Sequence, residues 1–437
     1  MRKIMCIVLV LLVAAFGLFA GGQKAEKAEE AEYKAIRFMS TETDPVSVEA
    51  DRYIIDSFQK EYPDTKVFPE YITMEDAFQK AQLMATAGIN PDIYLGGTDA
   101  AVSLYENGYS IAVNDVIERI GDDFAKSSID AYTMPDGKIL GVPTQSGTYL
   151  YWFRSDLAQQ AGLGKPTSRA EMLTMATKLH TDKIYGYTGI GAQHPNNQTP
   201  FYVFTWNDGN YLFNEEASEA IFHTENRADS KKILEFMVAM AKHAPPGFIG
   251  TGYTEAGDDF IAGRAASIML STRLPSWIMA QNPAMLDKTD AVPLPAAPGK
   301  TLYMWGGADA WILFKNSKYQ DRARDFIVHY MTGDCYAKFL HSVPMHLLPV
   351  RPSFGKDPEY LDNPVVRHFR STLDMIMANF GNLRAPATER GRPLPGTGEC
   401  YGSEAMAKAN NQLYSGRITI DQWLDTVGAE FNRILAD

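Results

Sequence analysis

Lys34-Ala35-Ile36-Arg37-Phe38-Met39, then Asp44-Pro45 and the run that follows it, then Lys66-Val67-Phe68: this stretch decides the fold class. The first six residues read as a short strand. Asp44 can cap free amide groups and Pro45 fits a first helical turn, so a helix starts there. Val46, Ala50, Tyr53, Ile54, Ser57 and Phe58 recur at helical spacing, and Pro63 ends the helix. Lys66-Val67-Phe68 supplies the next strand. Strand, helix and strand in that order open a sheet with parallel strands, which predicts an α/β protein.

Comparable signals recur along the chain. Ser168 with Glu171, Ser317 with Gln320, and Thr419 with Gln422 each have the spacing of a capping box. The first predicts a helix through Leu179. The second precedes Ala323, Phe326, Ile327 and Tyr330 on one face. The third precedes a stripe of Ile420, Trp423, Leu424, Val427, Phe431, Ile434 and Leu435, which assigns Trp423 to the core. The continuous apolar run at 310–314, which contains Trp311, predicts a fully buried strand.

On the prior of ~150 residues per domain, 437 residues is about three domain lengths, yet no stretch reads as a flexible interdomain linker. Two lobes sharing one chain is the expectation. Hydrophobic residues at 45% and charged residues at 22% fit a soluble globular chain and exclude a disordered or multispanning one. With 41 Lys+Arg against 53 Asp+Glu there is no basic surplus for a phosphate backbone, so nucleic acid is not an expected partner.

Arg2 and Lys3, an apolar run at 4–19, and Ala20-Gly21-Gly22 follow the order of a secretory signal peptide over 1–22. The run falls just short of the ~17 residues that span a bilayer, so a retained anchor is the alternative. Cys6 lies early in the run and Gly21 stands where a lipid-modified cysteine would, so a lipoprotein is not expected. Residues 23–32 form a Lys/Glu/Ala spacer, and order begins near Tyr33. The mature chain is periplasmic on this reading, and loss of Arg2 and Lys3 takes its formal charge from −12 to −14. Cys335 and Cys400 are too few for a disulfide framework; one bridge and two buried thiols are both open.

The eight histidines form no HExxH, and His341 with His346 lacks a third ligand at a telling distance, so no metal or other cofactor is expected. No Walker loop, dinucleotide fingerprint or GxSxG elbow occurs. Asp122, Asp123, Asp258 and Asp259 could supply the two carboxyls of a glycoside hydrolase, which is the enzyme alternative. A ligand-binding sensor subunit for a membrane receptor is a third class.

Several separated segments resemble the family 1 extracellular solute-binding proteins of bacterial ABC importers, the group that includes maltose-binding protein. They are Phe58-Gln59-Lys60-Glu61-Tyr62-Pro63, Ala87-Gly88-Ile89-Asn90-Pro91-Asp92-Ile93 and Asn107-Gly108-Tyr109. The most specific are Asp136-Gly137-Lys138-Ile139-Leu140-Gly141-Val142-Pro143, Tyr151-Trp152-Phe153-Arg154-Ser155-Asp156-Leu157 and Ala161-Gly162-Leu163. Phe260-Ile261-Ala262-Gly263-Arg264-Ala265-Ala266, Pro293-Leu294-Pro295 and Gly306-Gly307 follow in order. Many sugar-binding members carry Gly and Trp where this chain has Ser271-Thr272-Arg273.

The resemblance implies a two-lobed periplasmic-binding-protein fold of type II with three interlobe crossovers at 144–148, 304–308 and 344–351. Lobe I would hold 33–143 with 309–344, and lobe II 148–305 with 350–437. It implies a monomer that catalyses nothing, captures a carbohydrate between the lobes and delivers it to the permease of an ABC transporter. Sugar rings need aromatic platforms and a polar rim. Trp305 beside Gly307 is the leading platform, Trp206 the second, and Tyr149 is preferred to Trp152 because strand alternation separates them. Thr41, Glu42, Thr98 and Asp99 sit after strands, where open α/β sheets place ligands. Arg273 could grip the carboxylate of an acidic sugar or join an internal ion pair.

Overall fold

The computed structural model describes residues 33–436; the expected leader over 1–22 and spacer over 23–32 lie outside them. The described chain is mixed α/β. Its strands are β1 (Lys34–Ser40), β2 (Thr65–Tyr71), β3 (Ile93–Gly96), β4 (Ser110–Ile111), β5 (Val142–Ser146) and β6 (Tyr149–Arg154). They continue with β7 (Ser267–Ser271), β8 (Thr289–Pro293), β9 (Met304–Trp305), β10 (Ala308–Phe314), β11 (Leu348–Pro349) and β12 (Leu383–Arg384).

One sheet runs β11-β5-β10-β3-β1-β2, with β4 on the far end of β10. The β–α–β opening is present: β1 pairs in parallel with β2 from Lys34↔Thr65 to Ser40↔Tyr71, and in parallel with β3. β10 enters antiparallel between β3 and β5, so the sheet is mixed. A second sheet, β7-β6-β8, is antiparallel. A short parallel ribbon joins β9 to β12.

Alternation along β6 sends Trp152 to one face, where it meets Phe369, and Tyr151 with Phe153 to the other, where Met172 and Met175 lie. In the larger sheet Phe38 packs between Trp311 and Phe326, with ring centroids 5.5 Å and 5.6 Å away. Trp311 and Trp423 are fully buried, as their apolar patterns required. Cys335 and Cys400 are separate buried thiols.

Helix Pro45–Glu61 forms, but its buried face differs from the apolar reading. Val46 and Tyr53 point outward, while Ser47, Asp51 and Ile55 join Ala50, Ile54 and Phe58 inside. Polar groups are accommodated there because they have partners: Ser47 meets Ser342, and Tyr330 donates to Asp51 Oδ1 at 2.6 Å. Asp44 occupies the N-cap position without capping, because its carboxylate is taken by Arg273.

The Ser168 and Thr419 caps form. The Ser317–Gln320 box does not. Ser317 instead donates to Asp92, Gln320 reaches the Lys315 carbonyl, and helix Gln320–Tyr330 begins after Tyr319.

Burial pushes the Asp51 carboxyl up to about 7, partly opposed by hydrogen bonds from Tyr330 and Tyr71. An unfolded Asp titrates near 4, so the folded state binds the extra proton between pH ~4 and ~7 and stability falls as pH rises through that window. Asp51→Asn keeps an oxygen for Tyr330 and removes the charge. It is expected to raise the thermal midpoint at pH 8 by about 2 °C or more, and to leave it nearly unchanged at pH 4. Equal shifts at both pH values in thermal scans would contradict this account.

Candidate ligand-binding site

The ends of the two sheets meet where the chain crosses between them. Gly147 and Thr148 link β5 to β6, and Gly306 and Gly307 link β9 to β10. Ser146 donates to the Gly307 carbonyl at 3.2 Å, and the Thr148 amide to Thr272 Oγ1 at 3.3 Å. Gly306 has φ +146°, and a Cβ there would lie 2.3 Å from the Gly147 carbonyl. Only glycine lets the crossing strands approach this closely.

Trp305 is half-buried at this junction. Trp206 stacks with it at 6.2 Å and 20°, while Tyr149, Tyr202 and Tyr401 surround it at 6.2, 6.0 and 5.8 Å. Trp206 is itself fully buried, so its geometry is that of a support for Trp305. Its indole donates to Glu389 Oε2 at 3.1 Å, and the same carboxyl accepts from the amides of Leu212 and Phe213 at 2.9 Å. Burial still pushes Glu389 up to about 7 against those bonds.

The polar wall comes from strand ends. Thr41 and Glu42 follow β1, and Gly97 leads from β3 into helix Thr98–Glu106. Asp309 lies near the start of β10, accepting from Gln145 Nε2 at 2.9 Å. Burial, with the neighbouring charges of Glu42 and Asp99, pushes Asp309 up to about 7. Burial also raises Asp99. Gly307 packs closely here: a Cβ built on it would lie 3.1 Å from the Ala385 Cβ and 3.7 Å from Thr98 Oγ1.

Arg273 reaches from the end of β7 to the end of β1. Its Nη2 lies 2.7 Å from Glu42 Oε2, and Nη1 contacts Asp44. The guanidinium is therefore engaged in an internal ion pair joining the two sheets. His346 lies 4.0 Å from the other Glu42 oxygen, and burial together with Arg273 depresses its basicity, keeping it neutral.

Buried hydroxyls and amides normally have partners. Among the described residues, Thr41 Oγ1, Gln145 Oε1, Thr148 Oγ1 and the Tyr202 hydroxyl have none. Each such group costs ~1–3 kcal/mol, which a hydroxyl-rich ligand would relieve. The arrangement is an aromatic floor with an unsatisfied polar wall, suited to binding.

Two of the acids named above as hydrolase candidates are engaged with arginines. Asp123 faces Arg351 at 3.8 Å, and Asp259 accepts from Arg264 Nε at 2.7 Å. Among the described residues no group of three or more His, Cys, Asp or Glu could hold a metal ion. A separate groove of about 480 Å³ lies along helix Pro45–Glu61, lined by Tyr53, Asp56, Ser57, Lys60 and Glu61, and contains none of the convergent groups above.

The structure thus brings together Thr41, Glu42, Thr98, Asp99, Tyr149, Arg273, Trp305 and Gly307, with Trp206 behind them. Sequence reasoning missed Gln145, Tyr202, Asp309, His346, Glu389 and Tyr401. Asp309 carried a signal, as an acid entering an otherwise apolar strand two residues after Gly307. Tyr401 and Glu389 carried none, because only tertiary folding brings them to Trp305 and Trp206.

Two sheets crossed by the chain, with a candidate site where their ends meet, fit the class that the sequence match gives: residues 53–367 match the bacterial extracellular solute-binding protein family, and the chain belongs to it. These are binding proteins of ABC importers, extracellular or periplasmic in location. The lactose-binding protein of Rhizobium radiobacter is 26% identical over 298 residues, covering 65% of this chain and 66% of that protein. YcjN of Escherichia coli, described as a candidate periplasmic-binding protein of an ABC transporter, is 20% identical over 98% of each chain.

Among solved structures, maltose-bound MalE3 of T. maritima superposes with a TM-score of 0.77 at 17% identity, over 91% of this chain and 99% of that one. A ribitol-bound solute-binding protein of Agrobacterium radiobacter K84 gives 0.78 at 18% identity, over 91% and 98%. The fold is thereby the two-lobed one of these proteins. No helix among the described residues is long and apolar enough to cross a membrane.

Proposed function

We propose that this protein captures a carbohydrate against Trp305, closes its lobes over it and delivers it to the permease of an ABC transporter. The observation that carries the reading is the half-buried Trp305, ringed by tyrosines beside Gly306-Gly307, one of which, Tyr202, has a buried hydroxyl that lacks a partner. Apolar sugar faces stack on such rings while hydroxyls satisfy the wall. Maltose and ribitol in the neighbours named above support the ligand class.

In this reading 33–143 with 309–344 move as one body and 148–305 with 350–437 as the other, flexing at 144–148, 304–308 and 344–351. The division of β1–β5, β10 and β11 from β6–β8 into separate sheets supports it. Ligand shifts the open–closed balance only by binding the closed form better. The protein acts as a monomer after cleavage of its leader, transforming nothing. An acidic sugar is the narrower version that Arg273 suggested; the guanidinium's engagement with Glu42 and Asp44 weighs against it.

Calorimetry on the mature protein across neutral, amino and uronic sugars, polyols, amino acids and peptides tests the reading. A sugar or polyol is expected to bind reversibly with Kd on the order of micromolar, about −8 kcal/mol. Binding of amino acids or peptides alone would overturn the ligand class. Product formation would move the protein to the glycoside hydrolases.

A further inference from the structure

Arg273 is the residue from which sequence reasoning drew an anionic ligand, yet the charge around it runs the other way. Glu42 and Asp44 already surround its guanidinium. Asp99 and Asp309 remain, and among the described residues neither forms an ion pair with a Lys, Arg or His. They flank one point of the site: a Cβ built on Gly97 would lie 2.5 Å from Asp99 Oδ1 and 3.9 Å from Asp309 Oδ1. His346, the other basic group nearby, is neutral.

A second observation points independently to a donor-bearing ligand. Gln145 is 1% exposed and donates its Nε2 to Asp309 at 2.9 Å, which aims the side chain into this cluster. Its Oε1 accepts from nothing among the described residues. The buried Gln145 amide oxygen has no donor, and the two carboxyls near it, Asp309 accepting from Gln145 and Asp99 from the Ala100 amide, form no ion pair, which leaves a group of acceptors with spare capacity. A hydroxyl would satisfy one acceptor without altering the charge. An ammonium supplies three donors and a positive charge, and charge-assisted bonds are about twice as strong as neutral ones.

We infer that the site selects a carbohydrate carrying a protonated amine, held by Asp309, Asp99 and the Gln145 carbonyl oxygen. The inference rests on the carbohydrate reading of the same site and narrows it to the cationic class. The ring stacks on Trp305, and the amine lies toward Gly97. Asp309 and Gln145 are specificity determinants on this account, since they distinguish the amine from a hydroxyl at the same ring position.

Matched pairs test it: glucose with glucosamine, galactose with galactosamine, mannose with mannosamine, and cellobiose with the fully deacetylated chitosan disaccharide. Each is titrated calorimetrically into the mature protein at pH 6.5, where these amines are protonated and an ammonium displaces the proton that burial leaves on Asp309, with N,N′-diacetylchitobiose and glucuronic acid as uncharged and anionic controls. At least one amine is expected to bind tenfold or more tighter than its hydroxyl partner, and acetylation is expected to abolish the advantage. In Asp309→Asn, which relieves a buried charge and should fold, the amine-to-hydroxyl ratio is expected to fall to near one. Equal affinity within every pair, or preference for neutral or anionic members, overturns the inference while leaving carbohydrate binding intact. A ratio unchanged in a folded Asp309→Asn also overturns it. Silence across all sugars, with binding elsewhere in the broader ligand panel, overturns both readings.

Discussion

Trp305→Ala is expected to weaken carbohydrate binding by about 100-fold or more, equivalent to ~3 kcal/mol, the largest loss of any single change in the site. The indole is half-buried, stacked with Trp206 and edged by Tyr149 and Tyr202. Truncation removes the apolar floor and leaves a void facing the ligand, so stacking and shape are lost together. Trp305→Phe keeps a ring of smaller area and should recover part of the affinity. Circular dichroism and thermal midpoints separate loss of binding from loss of fold. A folded Trp305→Ala that binds within threefold of the parent would contradict the assignment of Trp305 as platform.

Arg273→Ala is expected to destabilise the protein by ~3 kcal/mol or more, because removing one member of a buried ion pair leaves the other charge uncompensated. Glu42 is 2% exposed, and the nearest histidine is neutral. Adding Glu42→Gln removes the stranded charge and should restore a substantial part of the loss, a coupling that a double-mutant cycle in urea measures directly. The pair spans the two sheets, so its loss also favours the open arrangement. Scattering should then give Arg273→Ala a larger radius than the parent at equal ligand. A destabilisation below ~0.5 kcal/mol, with no coupling to Glu42, would show that the pair is exposed in solution and contributes little.

Much of this architecture was legible along the chain because local signals carried it. Pro45 and Pro63 bracket the first helix, the Thr419–Gln422 box opens the last one, and the unbroken apolar run at 310–314 falls in the buried centre of β10. Signals failed where tertiary partners outbid local ones. Asp44 gives its carboxylate to Arg273 and Ser317 its hydroxyl to Asp92, so neither caps its helix. Val46 and Tyr53 lie outside because Asp51 and Ser47, with partners on facing helices, occupy the inner face of helix Pro45–Glu61.

The strand ends of the candidate site were legible, since Thr41 and Glu42 follow β1 and Thr98 and Asp99 follow β3, positions where open sheets place ligands. The supporting ring was not. Tyr202 and Tyr401 lie about 100 residues from Trp305 in either direction, and nothing in their neighbourhoods marks them. Arg273 shows the limit of reading charge without geometry: its chemistry fits a ligand carboxylate and an internal one equally well, and only the position of Glu42 and Asp44 distinguishes them.

The most direct test uses the six tryptophans as reporters. The mature protein is labelled with 5-fluorotryptophan, the fluorine resonances are assigned by single replacement with Phe, and the tightest-binding carbohydrate is titrated to saturation. The Trp305 resonance is expected to move by the largest amount, with Trp206 following as its stacking partner, while Trp311 and Trp423 stay where they are. Saturable binding that leaves Trp305 unmoved would contradict capture at this site.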